Sequence, residues 1–224
     1  MLAERIIAWS LALALSFYPP LASAQLRSRG FPPGTFQSRG AIDPPACTPT
    51  SPPSGGIYDN ATLNGGWISN AQQATLTDNS VTSPDCALNG ATLVEDNTNN
   101  QHNTLDGVIF SVTVISHTFS VYAKRGVGSR NIEIGELTSG FSNIIEVIVN
   151  LATCSAGTPS GSGTLKSATA TLQANGWCFI TATATPLSTD TKMNLYIFMV
   201  SGASTISYAG DGTSSLNLWG VDLR

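Results

Sequence analysis

What most constrains this chain is a rhythm. About ten short stretches alternate apolar and polar residues, and Gly, Pro, Asn or Ser closes each of them. On a strand successive side chains point to opposite faces, so period-two alternation marks a half-buried strand. Residues 108–114 and 118–124 show it most clearly, and 178–185 and 193–200 follow it too. Stretches 91–95, 132–137, 144–151, 168–172 and 216–219 complete the series, and residues 96–104 form an Asn-rich polar loop. No long stretch has the 3.6-residue period of an amphipathic helix, and no internal repeat is present. The pattern predicts an all-β fold, a sandwich or jelly roll of about ten short antiparallel strands over residues 57–224.

The preceding residues have other textures. Residues 1–24 read as a secretory signal: Arg5, an apolar run from Ile6 to Phe17, then Ala22-Ser23-Ala24 as a small-residue cleavage pattern. That run is shorter than the roughly 20 residues a membrane span needs, so no span is expected after cleavage. Residues 25–56 carry Pro32-Pro33, Pro44-Pro45 and Pro52-Pro53 with Arg27, Arg29 and Arg39. This segment is either a linker of polyproline character or an arm that docks on a partner. From residue 57 onward six Lys or Arg face twelve Asp or Glu, without a basic stripe, which argues against nucleic-acid binding.

Four cysteines, Cys47, Cys86, Cys154 and Cys178, form no Cys-x-x-Cys pair, so neither zinc nor a redox site is expected. An even number in an exported chain suggests two disulfides, for which three connectivities exist. Cys154 and Cys178 flank one Ser/Gly/Thr-rich excursion and are the easier pair to close. Cys47 would then tie the proline-rich segment to the Cys86 loop.

Three sequence elements carry a resemblance. They are His117 to Lys124 (His-Thr-Phe-Ser-Val-Tyr-Ala-Lys), Asn175-Gly176-Trp177-Cys178-Phe179, and the Gly210-Asp211-Gly212-Thr213 turn leading to Trp219-Gly220. With Trp67 and the Pro84-Asp85 turn, their order resembles the carbohydrate-binding-module-like, concanavalin-A-like jelly rolls of phage tail and fibre proteins and of secreted bacterial glycosidases. The resemblance covers about residues 60–224. It implies a jelly roll with a binding or structural role and no enzymatic activity. Two departures stand out: Phe179 replaces the family's Arg, and Arg224 its closing Glu. Relatives with a structural calcium place Asp residues near Trp219-Gly220. Here Asp222 alone cannot supply the six to eight oxygens calcium takes, so no metal is expected.

Alternation sends Phe119, Val121 and Ala123 inward, with Cys178, Ile180 and Ala182. Tyr122, Lys124, Trp177 and Phe179 then face outward, on the sheet that is concave in the relatives. They are the candidate glycan site: an aromatic platform for a sugar ring, with Lys124 donating a hydrogen bond. The competing reading is that loops or a neighbouring subunit cover these rings. Trp67 and Trp219 are expected to be core or edge-sealing.

Catalytic chemistry finds little support. Glu133 and Glu136 are three apart and point to opposite faces of a strand, whereas a glycosidase pair must flank one bond. His102 and His117 are isolated and expected at the surface, and Asn60-Ala61-Thr62 fits a glycosylation acceptor. No nucleophile elbow or phosphate loop is present, and no cofactor is expected. The expected protein is a secreted or surface-exposed module that binds a glycan or cell-surface polysaccharide, or serves adhesion. The alternative is a bacteriophage virion protein, a tail fibre or decoration brick, with homo-oligomer or virion partners.

Overall fold

The computed structural model describes Cys47, residues 49–52, Gly56, residues 58–60, Leu63, Trp67 and, apart from 107, 108 and 139, residues 70–224. These belong to a compact unit running from Pro44 to Arg224. The signal segment 1–24, the proline-rich residues before Cys47 and the Thr62 of the glycosylation pattern lie outside the described residues.

Two antiparallel sheets form a jelly-roll sandwich. Sheet I runs β12 (Thr164–Leu172), β13 (Cys178–Thr185), β8 (His117–Arg125), β16 (Ser215–Leu223), β4 (Leu88–Glu95) and β3 (Ala74–Thr82), with β1 (Tyr58–Asn60) also beside β16. Sheet II runs β11 (Ser155–Ala156), β10 (Asn143–Asn150), β9 (Asn131–Thr138), β14 (Lys192–Val200), β6 (Asn103–Leu105) and β2 (Ala71–Gln72), with β7 (Phe110–Ser111) on β14. A small sheet pairs β5 (Asn99–Gln101) with β15 (Ser207–Ala209). Among the described residues no helix is long and apolar enough to cross a membrane.

The core follows from alternation. Sheet I contributes Phe119, Val121, Ala123, Ile180 and Ala182, and sheet II contributes Ile132, Ile134, Val147, Leu195 and Ile197, all in one buried cluster. Trp67 is buried there too. Two disulfides close the edges, Cys47–Cys86 and Cys154–Cys178, with Cα atoms 5.8 and 5.6 Å apart.

One residue changes the phase of the last strand. Trp219 lies opposite Tyr122 but Asp222 lies opposite Ser120, so β16 carries one residue more than β8 between these pairs. Gly220, at φ +66°, makes this bulge, a conformation glycine takes without strain. Leu216 and Leu218 reach the core before it, and Val221 and Leu223 after it. Without the bulge, strict alternation would turn Asp222 into the core and Val221 out of it.

Three expectations need correction. The strand expected at 108–114 reduces to Phe110–Ser111, because the chain bends at Val114 and Ile115, both exposed. The Asn-rich loop 96–104 instead holds β5 and the first two residues of β6, because its backbone pairs with β15 and with β14 and β2. Within it His102 is fully buried, its ring nitrogens facing the carbonyl oxygens of Gln73 at 2.6 Å and Tyr208 at 3.3 Å. His117 is buried as well, for it shares the inward phase of Phe119 and Val121, and burial lowers its pKa.

A buried ion pair fastens the Gly210–Thr213 turn. Arg130 donates two hydrogen bonds to Glu95, which also accepts from the Tyr208 hydroxyl and the Asp211 amide. Burial works against the charged form, yet these bonds and the Arg130 charge hold the Glu95 pKa below its ordinary value.

Candidate functional site

The outer face of sheet I holds the predicted platform. Tyr122 and Phe179 share that face as alternation requires, and Trp177 packs with them, but the rings are not open. Trp177 is 2% exposed and Tyr122 5%. The cause is register: Phe179, Tyr122 and Trp219 stand directly opposite one another on β13, β8 and β16. Large rings in adjacent strands cover each other. Tyr122 stacks 4.6 Å from Phe179 and 5.3 Å from Trp219 between ring centroids. Together with Trp177 they make a second, smaller hydrophobic cluster. Lys124 donates its ammonium to the Asn175 carbonyl at 2.8 Å, which ties it to the turn before Trp177.

Beside these rings lies a pocket of about 350 Å³, lined by Tyr122, Phe179, Ser120, Thr181, Asp222 and Arg224, with Ser51 at its rim. Threonines from the Ala-Thr alternation of β12 and β13 give this face a hydroxyl surface. Thr169 and Thr181 are hydrogen-bonded across strands at 2.7 Å, and Thr118 and Thr183 at 2.9 Å. Asp222, turned outward by the Gly220 bulge, accepts from Arg224 at 2.6 Å. These threonines are thus paired, whereas Asp222 Oδ1 and Trp219 Nε1 are buried with no partner among the described residues.

The outer face of sheet II is different. Three cavities of about 240, 260 and 240 Å³ follow one another along it, each sharing lining residues with the next. Ile148, Gly157 and Ala203 join the first two, and Glu133 and Glu146 join the second and third. An apolar cavity of about 180 Å³ extends the far end past Leu137 and Phe141. The result is one elongated groove, with Asn131, Asn150 and Ser155 at its polar end and Phe141, Phe198 and Ile109 toward the other. One wall is the segment after β11, held against β10 by the reciprocal backbone bonds of Glu146 and Ser160, both 3.0 Å. The other includes Gln101, Ala203 and Ile206.

Two carboxylates occupy its middle because β9 and β10 each present one outward. Glu133 lies opposite Ile148, and Glu146 opposite Gly135, so the two are diagonal neighbours on adjacent strands. Gly135 makes the floor possible. A side chain there would collide with the Tyr196 ring and the Ile145 carbonyl, both within 2.5 Å of where a Cβ would stand. Tyr196 lies over this gap and donates its hydroxyl to Glu133 Oε1 at 3.2 Å. Glu146 accepts from Ser160 Oγ at 2.6 Å and from the Asn143 amide.

Electrostatics follow from this burial. Glu133 is 6% exposed, and desolvation, then the charge of Glu146, raises its pKa to about 7, against the opposing Tyr196 hydrogen bond. Tyr196 is pushed upward by burial and by the nearby carboxylates, so its hydroxyl stays a donor. Glu136 takes no part. It shares the inward phase of Ile132 and Ile134, neither oxygen has a hydrogen-bond partner among the described residues, and burial raises its pKa to about 8. Glu133 and Glu136 thus do point to opposite faces. Among the described residues, no group of His, Cys, Asp and Glu could hold a metal ion.

Sequence reasoning weighed Glu133 only against Glu136, and passed over Glu146, Tyr196, Phe198 and Phe141. The available signal was the outward phase of Asn194, Tyr196 and Phe198 on a strand whose Leu195 and Ile197 are apolar. No family model matches the chain, and no curated protein matches it. Among solved structures, the CBM22-1 xylan-binding domain of Paenibacillus barcinonensis Xyn10C superposes over 78% of this chain and 97% of its own length. The TM-score is 0.39 and the identity 9%, too distant a likeness to say what either sheet face binds.

Proposed function

We propose that this protein is an exported glycan-binding β-sandwich module whose ligand lies along the sheet II groove. The observation that carries this reading is the groove's composition: hydrogen-bonding carboxylates at mid-length, with the half-buried Phe198 and the 81% exposed Phe141 beside them. Sugar rings present apolar faces and polar edges, and aromatic surface with a few placed acceptors suits both. The length of the groove favours a chain of sugars over a single residue. Two disulfides support a location in an oxidising compartment.

A second contact surface is supported by the pocket beside Tyr122 and Phe179. There a sugar would meet the edges of these rings and the hydroxyls of Ser120 and Thr181, while Trp177 and Lys124 would act by holding the rings and the adjoining turn. Affinity electrophoresis through gels containing soluble polysaccharides tests both surfaces. Phe198→Ala should abolish retardation and Phe179→Ala leave most of it. Retardation unaffected by Phe198→Ala would remove the groove from the account.

A further inference from the structure

The groove's charge has one sign. Among the described residues its lining includes Glu133 and Glu146 and no Lys, Arg or His. Glu146 already accepts from two neighbours. Glu133 accepts a bond at Oε1 alone, and although more than nine-tenths buried it lines two of the cavities. Its Oε2 has no donor among the described residues. Of the other buried glutamates, Glu95 is matched by Arg130, Tyr208 and the Asp211 amide, and Glu136, without a partner among the described residues, faces the core and lines none of these cavities. The groove thus offers two neighbouring carboxylates and lacks the positive donor that would satisfy them, at a place open to a ligand.

We infer that the groove takes a linear polysaccharide bearing free amino groups, a glucosamine-type polymer whose ammonium sits between Glu133 and Glu146. The inference rests on the glycan reading above and names its substrate class. An ammonium brings three donors and no acceptor, so it fills the open site on Glu133 and offsets the repulsion between the two carboxylates. A sugar hydroxyl fills one acceptor and leaves the repulsion, an N-acetyl group removes the charge, and a uronate adds to it. A charge-assisted hydrogen bond of this kind corresponds to roughly a ten- to hundredfold difference in affinity. Phe198 and Phe141 give flat apolar surfaces to the sugar faces. The groove continues past the carboxylates at both ends, as a polymer requires.

The test is affinity electrophoresis of the full chain in gels near pH 7, where Glu133 is about half ionised, containing a water-soluble low-molecular-weight chitosan, its N-acetylated counterpart, a neutral β-glucan or polylysine. Chitosan should bind about tenfold tighter than the N-acetylated polymer. Glu133→Gln and Glu146→Gln should each erase that preference, with melting temperature checking that each variant folds. If the N-acetylated polymer or the β-glucan binds as tightly as chitosan, the inference is wrong and glycan binding stands. If polylysine retards the protein as chitosan does, charge alone is recognised and the inference is also wrong. If no polysaccharide retards the protein, both readings fall.

Discussion

The two outer faces of this sandwich are built from the same kind of strand and come out as opposites. On sheet I the register sets Phe179, Tyr122 and Trp219 in one row, so the rings satisfy one another and the hydroxyls beside them pair across strands. On sheet II the residue opposite Tyr196 is Gly135. The ring then lies over a neighbouring strand with no side chain there, leaving two carboxylates flanking an open channel. Aromatic residues on an outward phase thus become a core or a site according to what stands across from them. Sheet I has committed its aromatic surface to packing, whereas sheet II keeps one acceptor of Glu133 open toward its groove.

Mutations that separate stability from binding sharpen the contrast. Trp177→Ala removes a buried ring from the sheet I cluster and should cost about 3–5 kcal/mol, measured by denaturant unfolding. A variant of near wild-type stability would mean that this face is open, the other of the two readings the sequence allows. Next comes Glu136, the carboxyl that no partner serves. Unfolded it titrates near 4.5 and folded at about 8, so the folded state holds the extra proton between those values. Stability on this account is full below about pH 4.5 and falls as pH rises toward 8, by roughly 3 kcal/mol at neutral pH. Glu136→Gln should flatten this dependence and raise the melting temperature most at alkaline pH. An unchanged slope would show that Glu136 ionises freely in the folded protein.

Smaller effects are expected on sheet II. Gly135→Ala pushes into the Tyr196 ring and the Ile145 carbonyl and should cost about 1–3 kcal/mol while also impairing binding. Intact affinity in that variant would argue that the Tyr196 floor is not part of the site. Phe141→Ala, on a largely exposed side chain, should change stability by no more than about 0.5 kcal/mol yet weaken polysaccharide binding.

The inward phase of β8 and β13 was legible from the chain, because period two over seven or more residues leaves only one way to bury Phe119, Val121, Ile180 and Ala182. So was the separation of Glu133 from Glu136. The closed state of the Tyr122 row was not legible, since it depends on which residues of distant strands stand opposite, information that alternation within one strand lacks. The same holds for Glu133 and Glu146, brought side by side only by the pairing of β9 with β10. The bulge at Gly220 hid the fate of Asp222, because a single added residue exchanges the two faces. Polar strands such as β3 and β6 escaped notice because they earn their place through pairing and hydrogen bonds rather than apolar burial.

The central claim is that the principal ligand site lies on sheet II and not on sheet I. Chemical-shift mapping of the isotopically labelled protein with a soluble oligosaccharide tests it most directly. The account expects the shifts to concentrate on Glu133, Glu146, Phe198 and the wall residues Gly157 and Ala203. Shifts confined to Ser120, Tyr122, Phe179 and Thr181 would contradict it and return the site to the other face.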